Sequence, residues 1–215
     1  MPVYQWFVFD IGNVVIKLDY EQMLAAIVEE SSTNRDGLIM VFERMGGARD
    51  LERGVITFGE FHEFLREKVQ YRGTVDRLRE VWNWVLDGPV NGIEDVIARV
   101  RERYRVAFLS NTNEVHVEEI MRRFGPLFEE DDRFVFSHRY GFVKPDPAIY
   151  QLALKVLGAL PNQLIFVDDQ PENVFAAKDQ GILTFRFTSS LALVKDLENE
   201  GLLARNEGLQ SLLYD

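Results

Sequence analysis

Five short apolar runs, at residues 3–9, 105–109, 134–136, 164–167 and 184–187, leave this chain very few folds to choose from. Such brief runs, bounded by polar or turn residues, read as strands buried on both faces. Segments 93–104, 114–124, 148–157 and 171–180 lie between them and carry apolar residues at helical spacing. Strands alternating with helices of that length predict βαβ units, hence an α/β fold with a Rossmann-like parallel sheet covered on both sides. Helix limits are marked as well. Asp146-Pro147 offers a cap followed by proline at the first helical position, Gly158 stops that helix, and Pro171 and Gly181 bracket the next.

One stretch breaks the alternation. Between the first and second runs, segments 20–30, 37–44, 58–68 and 75–86 have helical patterning with no convincing strand among them. The expectation is a helical insertion spanning 18–88, carried by an α/β core made of 1–17 and 89–215. Phe42, Phe61, Phe64, Trp82 and Trp84 are expected to pack mainly within that insertion.

The formal net charge of −11 argues against nucleic acid as a partner. It also repels a phosphorylated substrate at long range, so any phosphate site must be made by local positive charge. With no cysteine, neither disulfides nor thiolate metal sites are available. The opening MPVYQWFVFD has no basic leader and is too short to cross a membrane, so a soluble cytoplasmic protein is expected.

Polar clusters stand where the predicted strands end, the edge at which open α/β sheets gather their sites. Asp10 closes the first strand in FDIGNV, Ser110 the second in LSNTN, and Asp168-Asp169 the fourth in FVDDQPEN. Lys144 lies in GFVKPDP, between the third strand and its helix. Each cluster alone reads as turn, cap or solvated side chain. Independent turns, however, have no reason to place a nucleophile, a hydroxyl, a cation and paired acids at successive strand ends.

In that order the clusters resemble the four motifs of the haloacid-dehalogenase superfamily, and the helical segment sits where members with an α-helical cap carry it. FDIGNV, LSNTN, KPDPAIY and FVDDQPENV are most similar to a branch that includes sugar-phosphate phosphatases. The resemblance implies a Mg²⁺-dependent phosphatase for a small phosphorylated metabolite, a sugar phosphate among the candidates, working through an aspartyl-phosphate on Asp10. It implies Mg²⁺ ligands from Asp10, Asp169 and the Gly12 carbonyl. Ser110 and the Asn111 N–H would hold phosphoryl oxygens, and Lys144 would neutralise charge with Asp168 orienting it. Asn173, on the helix that follows, would hold a metal-bound water.

Gly12 departs from the pattern. Most phosphatases of this superfamily place a second aspartate there as general acid and base. Without a replacement, leaving groups that need little protonation would suffer least. Asp19 and His116 are alternative donors, though Asp19 reads more readily as a helix cap and His116 as an exposed helix residue. Two other readings compete: a haloacid dehalogenase, which Asp168-Asp169 disfavours, and a catalytically weak binding or regulatory protein, which Gly12 favours.

Overall fold

The computed structural model describes residues 4–205. Five parallel strands form the central sheet: β1 (Trp6–Phe9), β4 (Arg105–Ser110), β5 (Arg133–Phe136), β6 (Leu164–Asp168) and β7 (Leu183–Arg186), in the order β5-β4-β1-β6-β7. The strand expected from residue 3 begins at Trp6; Val3 lies outside the described residues.

β1 is central because all four of its residues are apolar and buried. Successive side chains point to opposite faces of a strand, which divides the core in two. Phe7 and Phe9 join Phe108, Ile165 and Val167 on one face; Trp6 and Val8 join Ala107, Leu109 and Phe166 on the other. Helices α6 (Ile93–Arg101), α7 (Glu114–Phe124) and α10 (Ser190–Asn199) supply apolar residues to the first face. The second is covered by α8 (Pro147–Leu157) and α9 (Pro171–Asp179). Asp146 caps α8 by accepting from the Ala148 N–H at 2.9 Å, and Gly158, at φ 61°, ends it.

Between β1 and α6 the chain leaves the sheet and returns through a separate two-stranded antiparallel ribbon, β2 (Ile16–Leu18) with β3 (Leu86–Pro89). Five helices lie between those strands: α1 (Glu21–Glu29), α2 (Arg35–Met45), α3 (Gly47–Glu52), α4 (Phe58–Val69) and α5 (Val75–Trp82). A capping box between Thr57 and Glu60 starts α4, and Thr74 caps α5. The helix expected to run to residue 86 stops at Trp82; a 3-10 turn follows and Leu86 enters β3. Helix α3 was not legible, because its six residues open on a glycine pair that favours a break. Phe61 is fully buried at the centre of the helical lobe, against Trp82 at 4.8 Å and Phe64 at 6.3 Å. Among the described residues, no helix is long and apolar enough to cross a membrane.

One contact between the lobe and the sheet domain brings two backbones unusually close. Gly54, just past α3, has φ +65°, and a Cβ there would lie 2.0 Å from the His138 carbonyl oxygen. Only glycine allows that approach of backbone to backbone. Arg53 adds a bond from its Nε to the Gly141 carbonyl at 3.1 Å.

Candidate active site

Strand register brings the polar strand ends together. Phe9 stands beside Phe108 on one side and Val167 on the other, so Asp10, Ser110 and Asp168 emerge along one edge. The Asp10 N–H donates to the Val167 carbonyl at 2.8 Å, carrying the pairing one residue past β1. Lys144 reaches them from the loop before α8. The Asn111 side chain fixes it there, its Oδ1 accepting from the Lys144 N–H at 2.8 Å and its Nδ2 donating to the Lys144 carbonyl at 2.9 Å.

The Lys144 ammonium is buried and donates to three oxygens. Asp10 Oδ1 and Asp168 Oδ2 are each 2.7 Å away, and the Leu109 carbonyl is at 3.1 Å. Burial alone would lower its pKa, but Asp10 and Asp168 outweigh it and raise the ammonium above the lysine range. Burial pushes the Asp10 carboxyl up to about 7, a rise that Lys144 opposes and Asp168 reinforces. Burial and the Asp168 charge raise Asp169 in the same sense.

Removing the cation strands two buried carboxylates. Lys144→Ala should therefore lower stability by about 3–5 kcal/mol, the usual cost of breaking a buried ion pair from one side. The midpoint of urea unfolding reads this directly; a midpoint equal to the parent's would contradict the pairing.

Asp10, Asp168 and Asp169 each bring one carboxylate oxygen within 4.8 Å of the others. Three carboxylates against one ammonium make an all-oxygen donor set with surplus negative charge, which fits a hard divalent cation. Asp168 is otherwise engaged: besides Lys144 it accepts from the Gln170 N–H and the Asn173 amide, both at 2.9 Å. Asp10 and Asp169 remain the carboxylates best able to reach a metal.

The remaining candidate residues each have definite partners. Asn173, expected at a metal-bound water, turns its amide onto both oxygens of Asp168, because the first turn of α9 folds back over the end of β6. His116, expected to be exposed, stacks on Trp82 with ring centroids 5.4 Å apart. Its Nε2 bonds the Trp82 carbonyl at 3.1 Å and its Nδ1 meets the Asn113 amide at 3.1 Å. Burial lowers its pKa to about 4, so the ring is neutral and both nitrogens are occupied. Asp19 accepts from the Glu21 N–H at 2.9 Å, as a cap for α1.

Gly12 is not in the left-handed region; its neighbour Asn13 is, at φ 55°. A Cβ at Gly12 would meet only the tip of the Leu18 side chain, at 2.9 Å. The backbone would accept a side chain there. A cavity of about 390 Å³ opens between this edge and the helical lobe. Gly12, Ser110 and Asn111 line it from the sheet; Leu24, Ile39, Phe42 and Trp82 give it apolar walls, and Tyr20 and Glu52 contribute polar groups. Desolvation and the charges of Glu52, Asp169 and Asp10 push the Tyr20 phenol up to about 12. Neither Tyr20 nor Glu52 was singled out from sequence, since each sits in an amphipathic, acid-rich stretch where nothing in the spacing distinguishes it.

Comparison with known proteins agrees with this architecture. Residues 4–181 match the family model of the haloacid dehalogenase-like hydrolases. The D-ribitol-5-phosphate phosphatase of Bacteroides thetaiotaomicron is 27% identical over 188 residues, covering 83% of this chain and 89% of that protein. An enzyme of the haloacid-dehalogenase family from the same organism, crystallised with magnesium and inorganic phosphate, superposes with a TM-score of 0.76 at 25% identity. That match covers 87% of this chain and 96% of the other. A HAD-like hydrolase structure from Porphyromonas gingivalis gives 0.78 at 24% identity, over 91% and 98% of the two chains, and bears on the fold alone.

Proposed function

Because the chain belongs to the haloacid dehalogenase-like hydrolases, we propose that it is a Mg²⁺-dependent phosphatase acting on a small phosphomonoester through a covalent intermediate on Asp10. The observation that carries this reading is the buried Asp10–Lys144–Asp168 arrangement, with Asp169 close enough to complete a cluster of acids. A dehalogenase has no phosphate charge to neutralise and no need of that cluster.

The chemistry follows from the groups present. An Asp10 carboxylate oxygen attacks phosphorus in line with the leaving oxygen, forming an acyl phosphate that water then hydrolyses to phosphate and free Asp10. Ser110 and the Asn111 N–H hold non-bridging oxygens, while Lys144, kept charged by Asp10 and Asp168, offsets the negative charge brought by the ester. Mg²⁺ would be held by Asp10, Asp169 and the Gly12 carbonyl, and would supply electrostatic stabilisation of the phosphoryl oxygens. Asp168 and Asn173 act behind Lys144, holding its ammonium in place. The helical lobe serves as a cap that shelters the acyl phosphate from bulk water.

The relative named above is a D-ribitol-5-phosphate phosphatase, and phosphorylated sugars and polyols are the substrate class we assign. A panel in Mg²⁺ buffer should include sugar 1-phosphates, sugar 6-phosphates, pentitol 5-phosphates and a 2-haloacid. The expected outcome is phosphate release from members of the sugar and polyol set, with no halide release. Halide release without phosphate release would favour a dehalogenase, and no turnover of any member would favour a binding or regulatory protein.

A further inference from the structure

We propose that Glu52, carried by the helical lobe, protonates the leaving oxygen and so replaces the acid that is missing at Gly12. The inference rests on the phosphatase reading and extends it to the proton.

Among the residues lining the cavity, four titrate: Tyr20, Glu43, Glu52 and His116. His116 has both ring nitrogens engaged and stays neutral. Tyr20 holds its proton too tightly to release it near neutrality. Glu43 lines the cavity but is exposed to solvent. Asp19 does not line the cavity and is committed to capping α1. Glu52 remains, half-buried and open to the same space as Gly12, Ser110 and Asn111.

Its backbone is tied to that part of the sheet edge. Ser137, fully buried beyond β5, places its Oγ 2.6 Å from the Glu52 carbonyl, and the same oxygen accepts from the Thr112 N–H at 2.9 Å. One serine thus joins the end of α3 to the loop that follows Ser110. Two residues further on, Gly54 lies against the His138 carbonyl and Arg53 donates to the Gly141 carbonyl. A catalytic acid must be held in place to be effective, and these contacts hold Glu52 although it belongs to the lobe. Leu18 approaches the space a side chain at Gly12 would enter.

The environment suits the task. Burial pushes the Glu52 carboxyl up to about 7, against the pull of Lys144 and Arg49, so a large fraction keeps its proton at neutral pH. In the first step the Asp10–phosphorus bond forms, the phosphorus–oxygen bond to the leaving group breaks, and the Glu52 proton passes to that oxygen, leaving a free alcohol and a Glu52 carboxylate. In the second, the oxygen of an attacking water bonds to phosphorus, the bond between phosphorus and the Asp10 oxygen breaks, and the Glu52 carboxylate takes a proton from that water. Inorganic phosphate leaves, and Asp10 and the Glu52 acid are restored.

The test is kcat/KM for a series of alkyl and aryl phosphates, plotted against leaving-group pKa for the parent and for Glu52→Gln. The parent should show a shallow slope and the variant a steep one. Glu52→Gln should lose about 10²–10⁴-fold on alkyl esters, the usual worth of general acid catalysis, and less than about tenfold on p-nitrophenyl phosphate. Equal loss on every ester would mean a structural role, and no loss would mean no role; either overturns the proposal. Should the variant fail to fold, a steep slope in the parent overturns it and a shallow slope supports it. A parent that releases phosphate from no ester overturns the phosphatase reading itself, and with it the role of Glu52.

Discussion

Asp10→Asn should abolish phosphate release while leaving the protein folded. An amide oxygen is a poor nucleophile, and loss of the attacking group from an enzyme that depends on it costs on the order of 10⁴–10⁶-fold in turnover. The fold should tolerate the change, because the site holds three carboxylates against one ammonium and Lys144 keeps its 2.7 Å partner Asp168. Steady-state release of phosphate from the best substrate, beside thermal unfolding of both proteins, measures the two effects together. Turnover within tenfold of the parent would remove Asp10 from the centre of the mechanism. A collapsed melting temperature with no turnover would make the variant uninformative about chemistry, and Asp10→Ser then serves in its place.

Removal of the divalent ion should have an effect of similar size. With one carboxylate oxygen each of Asp10, Asp168 and Asp169 within 4.8 Å of the others, and Lys144 paired with two of them, a dianionic ester meets a site already rich in negative charge. EDTA should reduce turnover to background, and Mg²⁺ added in excess should restore it. The ion binds the folded protein only, so it should also raise the melting temperature, by the equivalent of about 2.7 kcal/mol at a hundredfold excess over Kd. Asp169→Asn should lose the response to Mg²⁺ without unfolding, because Asp169 is only half-buried and its side chain bonds its neighbour Gln170. Full activity after exhaustive chelation would contradict the assignment of a metal.

Much of this molecule is legible in its sequence, and for a physical reason. Strands buried on both faces are apolar, so β4, β5 and β6 are legible to within a residue and β1 at its end, although it begins three residues later than expected. Asp10, Ser110 and Asp168 were found because a parallel sheet gathers its strand ends on one edge. What stayed hidden depends on distant partners. The β2–β3 ribbon is short, and its second strand, LDGP, has no β propensity of its own; it exists because Leu18 and Leu86 find each other. Asn111 looked like part of a capping sequence, and its clamp on the Lys144 backbone across 33 positions could not be seen from either end. Glu52 and Ser137 are 85 positions apart, and their pairing is a property of how the lobe docks. Gly12 shows a second limit of the sequence. It reads as a lost acid, whereas the lobe presents another carboxyl to the same cavity.

The central claim is that phosphate passes through Asp10, and the covalent adduct tests it most directly. A single turnover quenched in acid, reduced with borohydride and mapped by peptide mass spectrometry converts an aspartyl-phosphate to homoserine at the residue that carried it. The mechanism predicts homoserine at position 10 and nowhere else. Homoserine at position 168 or 19, or none at any position while phosphate is being released, would contradict it.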